Sequence, residues 1–368
     1  MRGPHLFGGE RDDRHSASWC LLAAVAVYGG EFGAAQAERL LWRAGFGPRK
    51  GEAEALAAKG LRGAVRSLTR PGAEKLVEPA PTDEKGRALA PYDAWGHDHT
   101  WWLDRMVRTS RPLVERMTLV WHDWFATSND GVGSQRLMLQ QNQLFRSHAV
   151  GSFDKLLLDV TRDPAMLLWL NGSDNSKWSP NENYAREMME LFTLGAGHGY
   201  SEEDVCQQAR ALTGFRNSWR DGVGPTDFRY DPKSHDTGVK TIFRKRGAFD
   251  WHDSVRLSVT NSAHPSFFVS KLWGYFIGAA SDTATLNALT RTYVVGERDV
   301  RPVLEAILMH PALYDGPRLV KSPAVYTAGL LRRLGAPIKT TAWSWPGLTC
   351  AVANHASLGM VATLHVKR

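Results

Sequence analysis

Cysteine is scarce in this 368-residue chain: Cys20, Cys206 and Cys350 are the whole complement. An odd count at wide gaps is no disulfide framework, and no Cys-x-x-Cys pair occurs. One disulfide is the most that can form, and a thiolate zinc site is disfavoured. Long apolar runs are also missing. The longest, Trp19 to Tyr28, is half of the ~20 residues that a membrane-spanning helix needs, so no transmembrane segment is expected. The chain has no Gly-x-Ser-x-Gly elbow, no phosphate-cradling Gly-x-x-x-x-Gly-Lys-Ser/Thr loop and no His-Glu-x-x-His pair. Gly195, Gly197 and Gly199 follow a helical pattern rather than a strand, which argues against a dinucleotide fingerprint. No repeat of solenoid period is evident.

Charge is only mildly one-sided. The net charge of +7 is scattered, and its densest cluster, Arg244-Lys245-Arg246, reads as a solvated loop. With no helix-turn-helix or aromatic RNA-binding signature beside it, nucleic acid is not an expected partner. Tryptophan, by contrast, is abundant at 14 residues. Trp95, Trp101, Trp102, Trp121, Trp124, Trp169 and Trp178 form either an aromatic core between helices or a stacking face for a sugar or other flat ligand.

Periodicity predicts a mainly α protein: a multi-helix bundle over residues 36–337 with a long irregular insertion at about 215–262. Amphipathic spacing marks helices from Gln36, Glu52, Leu61, Asp93, Pro112, Ser134, Phe153, Ser201, Pro265, Ala284, Val300 and Pro323. Residues 71–91, rich in proline and charge, read as a surface excursion. The insertion alternates briefly at Asp227–Tyr230 and Lys240–Phe243, enough for a small hairpin. Residues 1–35 read as an extension. The Trp19–Tyr28 run and the small residues Ala34 to Ala37 have the outline of a secretory signal, but Glu10, Asp12 and Asp13 neutralise its start. Residues 338–368 read as an atypical tail.

The most informative stretch runs from Ser179 to Glu190. Ser179, Pro180 and Glu182 fit a capping box that starts a helix from Pro180 to Leu194. Asn183, Glu187 and Glu190 then recur at i, i+4 and i+7, placing an amide and two carboxylates on one face, with Arg186 able to pair with Glu182 or Glu190. The face is either a solvated charged surface or a polar site for acid/base or metal chemistry. Outside this helix, His122 sits one step off an apolar stripe. His235 and Asp236, with Lys240 close behind, lie in the irregular region, where a loop histidine on a helical scaffold is a candidate for function.

Three stretches together resemble the uncharacterised bacterial proteins grouped as domain of unknown function 1800. They are Arg39-Leu40-Leu41-Trp42-Arg43-Ala44-Gly45-Phe46-Gly47-Pro48, then Asn181-Glu182-Asn183-Tyr184-Ala185-Arg186-Glu187 through Gly195, and Ala209-Arg210-Ala211-Leu212-Thr213-Gly214. The loop from His235-Asp236 to Lys240 and Lys271-Leu272-Trp273 are also similar, and the likeness covers roughly residues 36–337. The resemblance carries no activity. It implies export or association with the cell envelope, and neighbourhood with phosphatase- or sulfatase-like proteins. It also implies a second histidine where this chain has Trp124, and a closing segment that Ala351–Arg368 lacks.

Two functions follow as expectations. In the first, an envelope-associated or exported hydrolase, or otherwise a cytoplasmic one, uses Glu187, Glu190, His235 and Asp236 as catalytic groups and Asn181, Asn183, Arg186 and Lys240 as binding groups. A divalent metal would sit on His122, Glu187 and His235, and the substrate would be a carbohydrate or a phosphate or sulfate ester. In the second, the same groups form a buried structural network in a non-catalytic envelope module.

Overall fold

The computed structural model describes residues 25–77 and 79–341. Residues 1–24, most of the tail at 338–368, Cys20 and Cys350 lie outside the described residues.

The chain is mainly α. Among the described residues, seventeen α-helices run in order: α1 Ala34–Arg43, α2 Glu52–Ala57, α3 Gly60–Thr69, α4 His97–Arg108, α5 Pro112–Phe125, α6 Asn129–Val132, α7 Gln135–Ser147, α8 Phe153–Thr161, α9 Pro164–Trp169, α10 Asn183–Glu187, α11 Glu202–Ala211, α12 Trp251–Val259, α13 His264–Phe276, α14 Thr283–Val295, α15 Val300–Met309, α16 Pro311–Asp315 and α17 Pro323–Leu334. Local chemistry explains many of the boundaries. Ser134, Ser152, Asp163, Ser201, Asp250, Asp282 and Ser322 each accept a backbone N–H of the first turn they precede, and proline opens α5, α9, α16 and α17.

The irregular insertion is more ordered than its composition suggests. It holds two antiparallel hairpins, β1 Phe215–Arg220 with β2 Gly224–Tyr230 and β3 Lys240–Ile242 with β4 Lys245–Gly247, and then helix α12. The reading of 215–262 as a loop with one hairpin is corrected accordingly. Strands of three to seven residues are too short to declare a period, and α12 is started by an Asp250–Asp253 capping box inside a polar run. The excursion at 71–91 has little regular structure but is pinned by isolated bridges, Leu76 to Thr109 and Thr82 to Thr340.

The main core gathers around α5. Trp121, Trp124, Phe125, Phe153, Phe192 and Phe268 are all fully buried, with ring centroids 4.7 Å apart for Phe153 and Phe268 and 5.0 Å for Phe125 and Phe192. Trp95 and Trp178, by contrast, are exposed. A smaller core under α17 contains Phe46, Met106, Leu119 and Ala328. There the buried Arg332 donates to the Gly47 carbonyl at 2.9 Å and pairs with Glu52 at 2.9 Å, tying the last described helix to the first segment. Ala34 to Ala37 open α1, and Ala37 is buried.

Candidate functional site

The segment from Ser179 does not begin a helix where its capping pattern suggests. Ser179 pairs with Ser176 in an isolated bridge, and α10 starts only at Asn183. Glu182 holds the N-cap position without a side-chain cap bond, and Asn181 makes an Asx turn ahead of it, its side-chain oxygen accepting the Asn183 N–H at 2.9 Å. Its own N–H is held by the Asn175 side chain, also at 2.9 Å. These local bonds displace the serine cap, because the Asn181 N–H that Ser179 would receive is taken by Asn175. After Glu187 the helix widens into a π-helix over Met188–Thr193 and stops at Gly195, whose φ of +92° favours glycine. π-turns of this kind are frequent at functional sites.

The widened turn changes what the polar face presents. Asn183 is exposed and reaches Asn171 at 3.1 Å. Arg186 is the hub: it pairs with Glu202 at 2.7 Å, Glu182 at 3.2 Å and Glu190 at 3.4 Å. Hydrogen bonds from Arg186 hold the Glu202 carboxyl below its ordinary pKa. Glu187 is half-buried and makes no ion pair with this hub. Burial, followed by the neighbouring Glu190 charge, raises its pKa, and Arg186 opposes the shift. The Cys206 thiol donates to Glu182 at 2.9 Å on the same side.

The end of the π-helix is sealed by three side chains. The last carbonyls of a helix have no partner within it. Here Lys271 Nζ donates to Leu191 O at 2.8 Å, Trp124 Nε1 to Phe192 O at 3.1 Å and His264 Nδ1 to Thr193 O at 2.9 Å. The cation also suits the negative end of the helix. Lys271 lies over the Trp124 ring, 4.3 Å from its centroid, and burial lowers its pKa to about 8, against the pull of Asp123. His264 is fully buried, and desolvation lowers its pKa to about 4, so it is a neutral imidazole that accepts from the Tyr293 hydroxyl at 3.0 Å.

His235, Asp236 and Lys240 form a separate network. Arg210 grips Asp236 through Nε at 2.7 Å and Nη2 at 3.3 Å. Burial by itself would push the Asp236 carboxyl up, but Arg210 and the Gly238 N–H outweigh it and leave its pKa lowered. His235 donates from Nδ1 to the Thr213 carbonyl at 2.9 Å, and the buried Lys240 ammonium donates to the carbonyls of Asp236 and Gly238. These bonds staple the β2–β3 connection onto α11. Asp236→Ala is expected to cost about 1–3 kcal/mol, because it leaves Arg210 and Lys240 without their carboxylate. Limited proteolysis should then cut between Tyr230 and Gly247 faster than in the wild type; an unchanged cleavage rate would show that the staple is dispensable.

His122 belongs to neither group. It is half-buried between Trp102 and Phe145 and accepts the Asn142 amide at 3.0 Å. Among the described residues, no three of His, Cys, Asp and Glu gather closely enough to hold a metal ion. His122, Glu187 and His235 are therefore not brought to one metal centre, and the residues present do not fit the divalent ion expected of them.

Sequence reasoning missed a further polar locus. The Tyr275 hydroxyl donates to Asp123, across from α13 to α5. Burial and then Asp123 push the phenol well above its ordinary pKa. Lys271 and Tyr275 are four residues apart on α13, so both reach the same neighbour. That spacing was the available signal, but it was masked by the apolar stripe of Phe268, Leu272 and Phe276 around it.

No curated protein and no solved structure matches the chain. A family model described as protein of unknown function (DUF1800) matches residues 39–362, beyond residue 337 where the resemblance read from motifs ended. The chain belongs to the DUF1800 family.

Proposed function

We propose that the chain is an acid/base hydrolase working on the outer face of α10 and its π-turn, with Glu187 and Glu190 as the working pair. The observation that carries this reading is the asymmetry of the two carboxyls. Glu190 is paired with Arg186, whereas Glu187 is half-buried without an ion pair and has a raised pKa. Two carboxyls whose environments differ in this way can divide the roles of acid and base. Protonated Glu187 gives its proton to the leaving oxygen, and Glu190 takes a proton from the attacking water. The water oxygen forms the new bond as the bond to the leaving oxygen breaks. A carbohydrate linkage or a phosphate or sulfate ester is the substrate class.

The sign of the pH dependence follows. A raised pKa keeps Glu187 protonated to higher pH than an ordinary carboxylic acid, and activity falls as pH rises through that pKa. A panel of chromogenic glycosides, phosphate esters and sulfate esters tests this. Glu187→Gln is expected to lower kcat by about 100-fold or more, and Glu187→Asp to shift the alkaline limb. Turnover unaffected by either substitution would remove Glu187 from the chemistry. The closed network of Arg210, Asp236 and Lys240 favours a second reading for that part of the surface, a non-catalytic brace in an envelope module. No turnover on any panel member, with the fold intact, would make that the reading of the whole chain.

A further inference from the structure

The motif from Arg39 to Pro48 is left unexplained by the polar face of α10. It delivers two arginines, Arg39 and Arg43, to one side of α1. Both send Nη2 to the turn after α16: Arg39 to the carbonyls of Gly316 and Pro317, Arg43 to Pro317 at 2.8 Å. Arg39 Nε and Arg43 Nη1 remain buried with no hydrogen-bond partner. Arg43 is only 7% exposed, so this is an N–H held away from water as well as from protein acceptors.

A third arginine joins them from α5. The end of α1 meets the start of α5 so closely that a Cβ on Gly45 would lie 2.8 Å from the Pro112 Cβ. Arg116, one turn into α5, likewise keeps a buried Nε without a partner. Arg43 is the link between the other two. Burial first, then the Arg39 charge, lowers the Arg43 pKa to about 10; burial first, then the Arg43 charge, lowers that of Arg116 to about 10. Asp123 and Tyr275 act on Arg116 in the opposite direction. Asp123 is already engaged, receiving the Tyr275 hydroxyl and facing Lys271. Asp123 is thus shared between Arg116, Lys271 and Tyr275.

We propose that Arg39, Arg43 and Arg116 form a binding site for a tetrahedral oxyanion of the phosphate or sulfate kind, at the junction of α1, α5 and the turn after α16. Buried N–H groups without acceptors are costly, and like charges brought together make the cost larger. One oxyanion answers both, because guanidinium N–H groups match its oxygens in short, charge-assisted bonds. Donors arriving from two helices suit an anion with more than two acceptor oxygens better than a single carboxylate. The site stands independently of the reaction proposed at Glu187.

Calorimetric titration and thermal melting of the full chain test it, with sodium phosphate against sodium chloride at equal ionic strength. Phosphate is expected to raise the melting temperature by about 3 °C or more at saturation. Arg43→Gln and Arg116→Gln should each weaken phosphate binding by about tenfold or more. Both should melt in chloride at or above the wild-type temperature, since each relieves repulsion. Arg39→Gln, at a half-exposed position, is the third probe and should also weaken phosphate binding. Tighter binding of phenyl phosphate than of inorganic phosphate would assign the site to an esterified group, and the reverse to the free ion. Equal stabilisation by chloride and phosphate, or unchanged phosphate affinity in all three variants, would overturn the proposal.

Discussion

Glu115→Ala is expected to destabilise the protein by about 3–5 kcal/mol, among the largest effects of any single substitution in the chain. Glu115 is fully buried on α5. Its carboxylate receives Arg146 through Nε at 2.6 Å and Nη2 at 3.0 Å, and Arg105 through Nε at 3.2 Å. Both arginines lie over the Trp101 ring, 5.3 and 5.4 Å from its centroid. Removing the carboxylate leaves two largely buried cations facing each other, with Glu74 still paired to Arg105 at 2.5 Å. Urea denaturation should show a lower midpoint at an unchanged slope. Replacing Glu115, Arg105 and Arg146 together by apolar residues should recover much of the loss, because the penalty belongs to the uncompensated charge. If the triple variant is no more stable than Glu115→Ala, charge is not the cause. The pH behaviour has a definite sign. Burial would raise the Glu115 pKa, but the two arginines outweigh it and leave it lowered. Its stabilising contribution is therefore complete above the unfolded carboxylate range and fades as pH falls through the folded value. Glu115→Ala should accordingly show a shallower loss of stability in acid than the wild type.

Trp124→Ala is expected to cost a similar amount, about 3–5 kcal/mol. Trp124 is 1% exposed and packs against Phe268 at 5.2 Å, Trp121 at 5.5 Å and Phe153 at 5.9 Å between centroids. Its indole N–H also caps Phe192 O, and its face supports the Lys271 ammonium. Truncation therefore opens a cavity, orphans a helix-end carbonyl and withdraws the surface under a buried cation. Trp124→Phe keeps most of the ring and loses the N–H, so it should cost about 1–3 kcal/mol. Hydrogen exchange distinguishes these contributions. The Leu194 and Gly195 amides, both bonded to Met189 O, should exchange faster in each variant if Trp124 holds the π-turn closed. Loss of stability without faster exchange there would confine its role to packing.

Much of the helical architecture was legible because its determinants are local. Phe153–Thr161, Val300–Met309 and Pro323–Leu334 carry an apolar stripe and a capping Ser or Asp just before the first turn, so both face and start are written in neighbouring residues. Arg186 pairing with Glu182 and Glu190 was legible for the same reason, being set by i, i+4 spacing. The start of α10 was not, because Ser179 is drawn into a bridge with Ser176 and an Asx turn at Asn181 precedes the helix. The π-turn after Glu187 has no local signature, and its closure depends on Lys271, Trp124 and His264 arriving from α13 and α5.

By itself, then, the sequence determined that this is a helical protein of the DUF1800 family with a charged α10 face, since periodicity, caps and motif strings depend on residues close in the chain. Only the tertiary structure decided which of its polar residues work together. It left Glu187 half-buried and off the Arg186 hub that holds Glu190, and it tied Asp236 to Arg210 of α11 while His235 bonds the Thr213 carbonyl. It also brought Arg39 and Arg43 of α1 onto the Pro317 carbonyl in the turn after α16. Arg210 and Asp236 are 26 positions apart and Arg43 and Pro317 are 274 apart, so packing of elements, rather than spacing along one helix, sets which of these groups meet.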